Sequence, residues 1–304
     1  ENYDNMEEGY QLLKNNLDKN IGLLVDPDPD GFTSASVIYL YIQKLNPSAN
    51  IQTFFHRGKK HSLTDEKSVE EILKSDINLL IIPDAGSNDY EQHKKLKDKG
   101  INILVLDHHE AEKYSEDAVV INNQLSSKVK NKQLSGVGIV YKFLQYYDKK
   151  EKTKYANEFL DLVALGNISD SMSTLSEETR FLCLEGLKNK NLSNGLFTEL
   201  LDKYVKDEIN MMNVAWNLTP KVNAIIRSGT QKDKVELFQA FINPTEQIKF
   251  KKNSRTKEEI VDLSTKITAI SEQLKKKQDT EVKEGMALVE DKIDDTKKVI
   301  IIEL

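Results

Sequence analysis

Three short apolar runs of this chain each end in an aspartate: Leu23-Leu24-Val25-Asp26, Ile81-Ile82-Pro83-Asp84 and Leu104-Val105-Leu106-Asp107. Such runs, separated by stretches of helical spacing, are the pattern of βαβ units, and βαβ units build parallel sheets. In a parallel sheet the carboxyl ends of the strands share one edge, which is where ligands bind. The topology alone therefore predicts that acids from distant parts of the chain converge. Strands are expected at 21–25, 51–55, 77–82, 101–106 and 118–121, with helices at 33–45, 68–74 and 89–99 between them. From 138 to about 204 the apolar spacing turns helical (Val140, Phe143, Leu144; Phe159, Leu162, Val163, Leu165), so this part should lay helices over the sheet.

The first aspartate opens Asp26-Pro27-Asp28-Pro29-Asp30-Gly31, and the third is followed by His108-His109. Taken singly, each has an ordinary explanation. Asp30 before Thr33-Ser34 reads as a helix cap, Asp84 as a loop acid, and the two histidines as a surface pair. Together, crowded carboxylates and imidazoles at three strand ends cost free energy unless a cation neutralises them, and so predict a metal site. Pro27 and Pro29 fix φ and stiffen the first loop, so less entropy is lost in holding its carboxylates together. The single cysteine, Cys183, excludes internal disulfides and a cysteine-based zinc site. Carboxylates with imidazole suit Mn²⁺ first and Mg²⁺ second. So many acids favour two ions, about 3.5–4 Å apart, the arrangement that activates a water in phosphate-ester cleavage.

A length of 304 residues allows two domains. No run approaches the roughly 18 apolar residues of a membrane span, and the first residues lack the basic start and apolar core of a secretory signal, so a cytoplasmic protein is expected. The chain starts at Glu1 rather than Met and stops in a strand-like run ending at Leu304, which suggests a fragment of a longer protein. A Lys-rich junction at 249–257 leads to Ile260, Leu263, Ile267, Ile270 and Leu274, spaced as one long helix with a narrow apolar seam. That helix either packs along its own domain or acts as a strut to a second one. Strands at 286–290 and 299–302 would open a further unit.

The segments 25–31, Asp84, Asp107-His108-His109 and Asn167-Ile168-Ser169-Asp170 resemble, in order and spacing, the four motifs of the DHH phosphoesterases. Within that superfamily the chain is most similar to the RecJ branch of single-strand-specific 5′→3′ exonucleases. The segments carrying that likeness are Phe55-His56-Arg57, His61-Ser62-Leu63, 134–138, 160–166 and 219–227. The resemblance implies an α/β protein: a short N-terminal helix in 1–20, a parallel-sheet DHH domain with flanking helices at 21–248, a long connecting helix at 249–283, and at 284–304 the truncated start of a second, DHH-associated α/β domain. It further implies that Asp26, Asp28, Asp30, Asp84, His108 and Asp170 ligate or support two Mn²⁺ (or Mg²⁺) ions, with Asp84 bridging. Asp107 would orient an imidazole, His109 would meet the scissile phosphate, and His56, Arg57, Asn223 and Arg227 would contact substrate. Only the motif selects Asp170, which otherwise reads as a helix cap. The chain departs from the pattern in two places: Leu24 stands where smaller family members carry a histidine, and the glycine-rich motif of the DHH-associated domain is absent.

The net charge of −6 argues against a broad nucleic-acid surface but leaves room for a local groove. Lys outnumbers Arg 39 to 4, so the lysines read as a solvated face, whereas Arg227 reads as a phosphate clamp. The expected partner is single-stranded DNA. Competing expectations are a small-substrate phosphodiesterase or phosphatase acting on nanoRNA, cyclic dinucleotides or 3′-phosphoadenosine, and a non-catalytic scaffold, which the intact motifs disfavour.

Overall fold

The computed structural model describes residues 3–56, 60–252 and 256–289. In chain order the elements are α1 (Met6–Lys14), β1 (Asn20–Val25), α2 (Pro29–Leu45), β2 (Asn50–Phe55), α3 (Glu66–Lys74), β3 (Leu79–Pro83), α4 (Tyr90–Asp98), β4 (Asn102–Asp107), β5 (Val119–Asn122), α5 (Gly136–Glu151), α6 (Leu160–Ser169), α7 (Glu177–Gly186) and α8 (Gly195–Tyr204). A single turn, α9 (Met211–Asn213), runs through the π-helical Val214–Leu218 into α10 (Thr219–Ser228). Then come α11 (Gln231–Ile242), β6 (Gln247–Phe250), β7 (Glu259–Asp262) and α12 (Leu263–Val289).

The strands β2-β1-β3-β4-β5 form one sheet in that order, every pair parallel. Its central strands read as unbroken apolar runs because both faces are covered. Alternate residues serve different cores. Ile21, Leu23, Leu79, Ile81, Leu104 and Leu106 face the larger core. Leu24, Leu80, Ile82, Ile103 and Val105 face the smaller one, which also holds Val69, Ile72 and Leu96 of α3 and α4. The helical half of the chain lies over the larger core through residues such as Phe143, Leu162, Phe197 and Phe238. Strand order turns back at β1, which pairs with both β2 and β3, so ligand chemistry belongs at the carboxyl ends of β1, β3 and β4. The register Pro83↔Leu106 puts Asp84 beside Asp107.

Helix α2 starts at Pro29, four residues before the expected position 33, and its cap is Asp28 rather than Asp30. Asp28 is extended and its side chain accepts from Gly31 N at 2.8 Å, while Pro29 supplies a preset φ at the first helical position. Asp30 is thereby carried inside the first turn.

The expected helix at 249–283 is also corrected. Its first part is the antiparallel hairpin β6–β7, with Lys249 opposite Ile260. Ile260 matched the helical seam by spacing alone; it is 69% exposed on a strand, and the helix begins at Leu263. Leu263 and Ile267 are buried, and α12 packs on α8, α10 and α11, so this helix lies along its own domain. Residues 286–289 continue α12 instead of starting a strand, in keeping with the helix propensity of Met286, Ala287 and Leu288. Position 290 and the expected strand at 299–302 lie outside the described residues. Among the described residues no helix is long and apolar enough to cross a membrane.

Candidate metal centre

Asp26, Asp84 and Asp107 stand at the carboxyl ends of β1, β3 and β4, and each is 3% exposed or less. Asp30 comes from the first turn of α2, and Asp170 is the residue that ends α6. Ligand atoms of three sets lie within 4.8 Å of one another: Asp26, Asp28 and Asp84; Asp30, His108 and Asp170; and Asp84, His108 and His109. The six residues expected to ligate, together with His109, are thus brought to one place. His108 is the hub, with Nε2 at 3.2 Å from Asp84 Oδ1, 3.6 Å from Asp170 Oδ2 and 3.9 Å from Asp30 Oδ2.

Asp84 has φ of +68°, a left-handed conformation that aspartate and asparagine tolerate better than most residues. Its backbone N–H donates to Leu106 O at 2.8 Å, and the turn drives its carboxylate into the cluster. There both of its oxygens, and His108 Nε2, are buried without a hydrogen-bond partner among the described residues, the 3.2 Å approach being off the line of a bond. A buried acceptor left unpaired costs about 1–3 kcal/mol, so a cluster with such atoms at its centre fits a cation. The oxygen-rich donor set with one imidazole suits Mn²⁺ or Mg²⁺.

Electrostatics agree with the geometry. Burial, then the charges of Asp30, Asp28 and Asp26, push the Asp84 carboxyl well above its usual range. Asp28 rises to about 6 through burial and the charges of Asp30 and Asp26. Asp170 rises to about 7, through burial and then Asp30 and Asp28. Burial drives the His108 imidazole down. The three carboxyl shifts report acids crowded together without enough positive charge, which a divalent ion supplies.

The start of α5 holds Asp30 in place: Gly136 N donates to Oδ2 at 2.6 Å, and Ser135 Oγ and Val137 N donate to Oδ1 at 3.0 and 3.2 Å. Asp107 belongs to none of the three sets. It accepts from Ser87 N (3.0 Å), His108 N (2.7 Å) and His109 Nδ1 (2.8 Å). That pairing holds the Asp107 carboxyl below its usual range, despite burial, and raises His109 to about 9. Asp107 thus fixes the ring of His109, whose side chain is 58% exposed.

Arg227, at the end of α10, lines a cleft of about 920 Å³ together with Pro27, Asp28 and His61 on one side and Lys275, Gln278, Val282 and Met286 of α12 on the other. Gln278 Nε2 donates to Ser228 Oγ at 2.7 Å, tying the two walls together. The remaining substrate-contact expectations fare differently. His56 is 2% exposed with both ring nitrogens buried, its Nε2 3.6 Å from Asp26 Oδ1. It backs Asp26 and has no face to offer a substrate, which corrects its expected role. Asn223 does not line the cleft, and its Oδ1 is buried without a partner among the described residues. Arg57 lies outside the described residues.

Residue-type reasoning gave no role to His61, whose Nδ1 lies 3.0 Å from Asp26 Oδ2, or to Ser62, whose N–H donates to Asp26 Oδ1 at 3.0 Å. It also gave none to two glycines that fit against the cluster. A Cβ at Gly136 would lie 2.3 Å from Asp84 Oδ1, and one at Gly166 would lie 2.4 Å from Asp30 Oδ1. Their signal was present in the segments 61–63, 134–138 and 160–166, quoted above for resemblance alone. Gly136→Ala is expected to weaken Mn²⁺ binding about 10–100-fold by displacing Asp84; calorimetric titration checks this, and unchanged affinity would refute the packing argument.

Fold and site together define a parallel α/β domain with a carboxylate–imidazole cation site at its carboxyl edge. Residues 21–167 match the DHH family, N-terminal domain, and this part of the chain belongs to that family. Similar curated proteins include the putative SPbeta prophage-derived single-strand DNA-specific exonuclease YorK of Bacillus subtilis, 42% identical over 211 residues, which are 68% of this chain and 35% of that protein. Another is the single-stranded-DNA-specific exonuclease RecJ of the same organism, 29% identical over 230 residues, covering 73% of this chain and 28% of that one. The chain therefore spans about a third of the length of the curated relatives it matches. Among solved structures, exonuclease RecJ bound to manganese superposes with a TM-score of 0.81 at 20% identity, covering 99% of this chain and 73% of that one, a likeness of fold.

Proposed function

We propose that this chain is the catalytic core of a cytoplasmic single-strand-specific DNA exonuclease that hydrolyses phosphodiester bonds from the 5′ end with two Mn²⁺ or Mg²⁺ ions. The observation that carries this reading is the buried, unpartnered Asp84 carboxylate facing His108 Nε2 among the other carboxylates, next to a cleft with a guanidinium on its wall. The relatives named as single-strand DNA-specific exonucleases support it. Asp26, Asp28, Asp30, Asp84, His108 and Asp170 would hold the ions, which supply an activated water and neutralise charge on the departing oxygen.

The chain's own groups do the rest. Arg227 grips a non-bridging phosphate oxygen, and Lys275 offers a second cationic contact along the strand. Asp107 holds Nδ1 of His109, which leaves Nε2 free to donate to the scissile phosphate. Val282, Met286 and Ile226 give the cleft an apolar wall that suits bases over a bare phosphate. The overall charge of −6 is no obstacle, because the acids gathered here are those the ions neutralise and the cationic groups line one local groove.

The test is hydrolysis in Mn²⁺ of 5′-labelled single-stranded DNA beside duplex DNA, dinucleotides and cyclic dinucleotides. Release of mononucleotides from the labelled end of long single strands is expected, with Arg227→Ala raising KM about tenfold as a charged contact of about 1.4 kcal/mol is lost. Turnover confined to dinucleotides or cyclic dinucleotides would replace this reading with that of a small-substrate phosphodiesterase.

A further inference from the structure

We propose that Lys132 is a positioning residue for the His108-His109 turn, its ammonium filling a cradle of backbone carbonyls as a bound monovalent cation would. The proposal rests on the function proposed above only for its activity readout. Lys132 Nζ donates to Ser126 O at 3.0 Å, to Gln124 O at 3.3 Å and to Asn123 O, and it makes no ion pair among the described residues. An ammonium has three donors and no acceptor, so three converging carbonyls are its full complement. Ser126 O also accepts from Val129 N at 3.0 Å, but without the ammonium Asn123 O and Gln124 O would face it with their dipoles unopposed.

The loop so closed is the one that holds the two histidines from behind. Gln124 Nε2 donates both to His108 O (3.1 Å) and to Lys132 O (3.0 Å). Asn122 Oδ1 accepts from Gln124 N at 2.6 Å, while Asn122 Nδ2 donates to His109 O (2.9 Å) and Ser87 Oγ (2.8 Å). Ser87 N in turn donates to Asp107. On the other side, Asn131 Nδ2 donates to Glu178 Oε2 at 2.9 Å and Thr179 Oγ1 donates to Gln133 O, which joins the loop to the helix following Asp170. Lys132 thus sits where the supports of His108 and His109 meet the tie to α7, although it touches neither histidine. Lys132 itself lines a cavity of about 850 Å³ with Asn131, Ser173 and Glu177, so shortening its side chain to alanine gives a small cation a path from solvent toward the carbonyls.

Chemical rescue tests this. Lys132→Ala frees the cradle, and Lys132→Met keeps the apolar stem while removing the charge. In tetramethylammonium chloride, which is too large for the cradle, kcat of both variants on single-stranded DNA should fall about 10–100-fold with KM within about threefold of the parent. Potassium or ammonium chloride at equal ionic strength should return Lys132→Ala to about a third of parental kcat or better, and leave the parent unchanged. The thermal midpoint of Lys132→Ala, measured without Mn²⁺ or DNA, should rise in potassium over tetramethylammonium by several degrees, whereas that of the parent should not. Parental kcat in either variant, a loss that neither ion restores, equal rescue by tetramethylammonium, or a Lys132→Ala protein unfolded in both salts each overturns the proposal. If the parent cleaves no nucleic acid, the function proposed above fails and the midpoint comparison alone decides the cradle.

Discussion

Asp84→Asn is expected to lower Mn²⁺-dependent hydrolysis at least about 10³-fold while raising the thermal midpoint of the metal-free protein by about 2–6 °C. The two effects have one origin. Asp84 is buried, both its oxygens lack a hydrogen-bond partner among the described residues, and the negative charges of Asp30, Asp28 and Asp26 surround it. Ionised and without a cation, it destabilises the fold; beside a cation, it is the best-placed carboxylate to be shared between two ions, since it belongs to two of the three ligand sets. Asparagine matches aspartate in size and tolerates the left-handed backbone at φ +68°, so the change removes charge and little else, whereas alanine would add strain. A substitution that stabilises the protein and removes its activity marks a group kept for chemistry. Melting curves with and without Mn²⁺, beside a single-strand hydrolysis assay, check both arms. An Asp84→Asn protein with parental activity would sink the site assignment, and a lowered metal-free midpoint would sink the electrostatic account.

Much of this was legible in the chain. Apolar runs ending in Asp26, Asp84 and Asp107 fix a parallel sheet and its active edge because handedness and strand polarity leave few other ways to pack βαβ units. The places where sequence reading went wrong are places where the signal was local and ambiguous. Asp28 and Asp30 are both acceptable caps before a helix, and only Pro29 at the first helical position settles that Asp28 is the one. Ile260 continued a helical spacing by chance, while the hairpin pairing that claims it depends on β6, a dozen residues earlier. His56 was expected at the substrate only through the family likeness of Phe55-His56-Arg57, and its depth behind Asp26 is a property of the packed sheet edge that the segment does not show. The supports of the site were the hardest to read. Gly136, Gly166, His61 and Lys132 act through close approach and backbone hydrogen bonds, which leave no compositional trace.

Between pH 6.5 and 8 the metal-free protein is expected to lose stability, and Mn²⁺ to restore more of it at the upper end than at the lower. The carboxyls of Asp28 and Asp170 are raised to about 6 and about 7, that of Asp84 is raised well above its usual range by burial and its acidic neighbours, and His109 is raised to about 9 by Asp107. A group whose folded pKa lies above its unfolded value stabilises fully below the unfolded value and loses that contribution as pH climbs through the folded one. The three carboxyls and His109 therefore all push stability down as pH rises. His56, His93 and His108, whose pKa values are lowered by burial, act in the opposite sense, but their gain ends once the unfolded histidines, centred near about 6.5, have titrated. At pH 6.5 the unfolded imidazoles are still half charged, so this opposing gain tapers off by about pH 7.5, and above it the fall is unopposed. Asp170, with its side chain 31% exposed, and His109, with its side chain 58% exposed, contribute less than their shifts suggest because solvent screens them, which leaves the buried Asp84 as the main source of the fall. The same ionisation prepares the ligands: carboxylates bind a cation only when deprotonated, so Mn²⁺ affinity should rise over this window, and a concentration 100-fold above the dissociation constant adds about 2.7 kcal/mol. Chemical denaturation at pH 6.5, 7.25 and 8, with chelator and with Mn²⁺, measures both slopes. A metal-free stability that stays level or climbs, or an Mn²⁺ increment that does not grow with pH, would mean that the raised carboxyls are not the groups the cation meets.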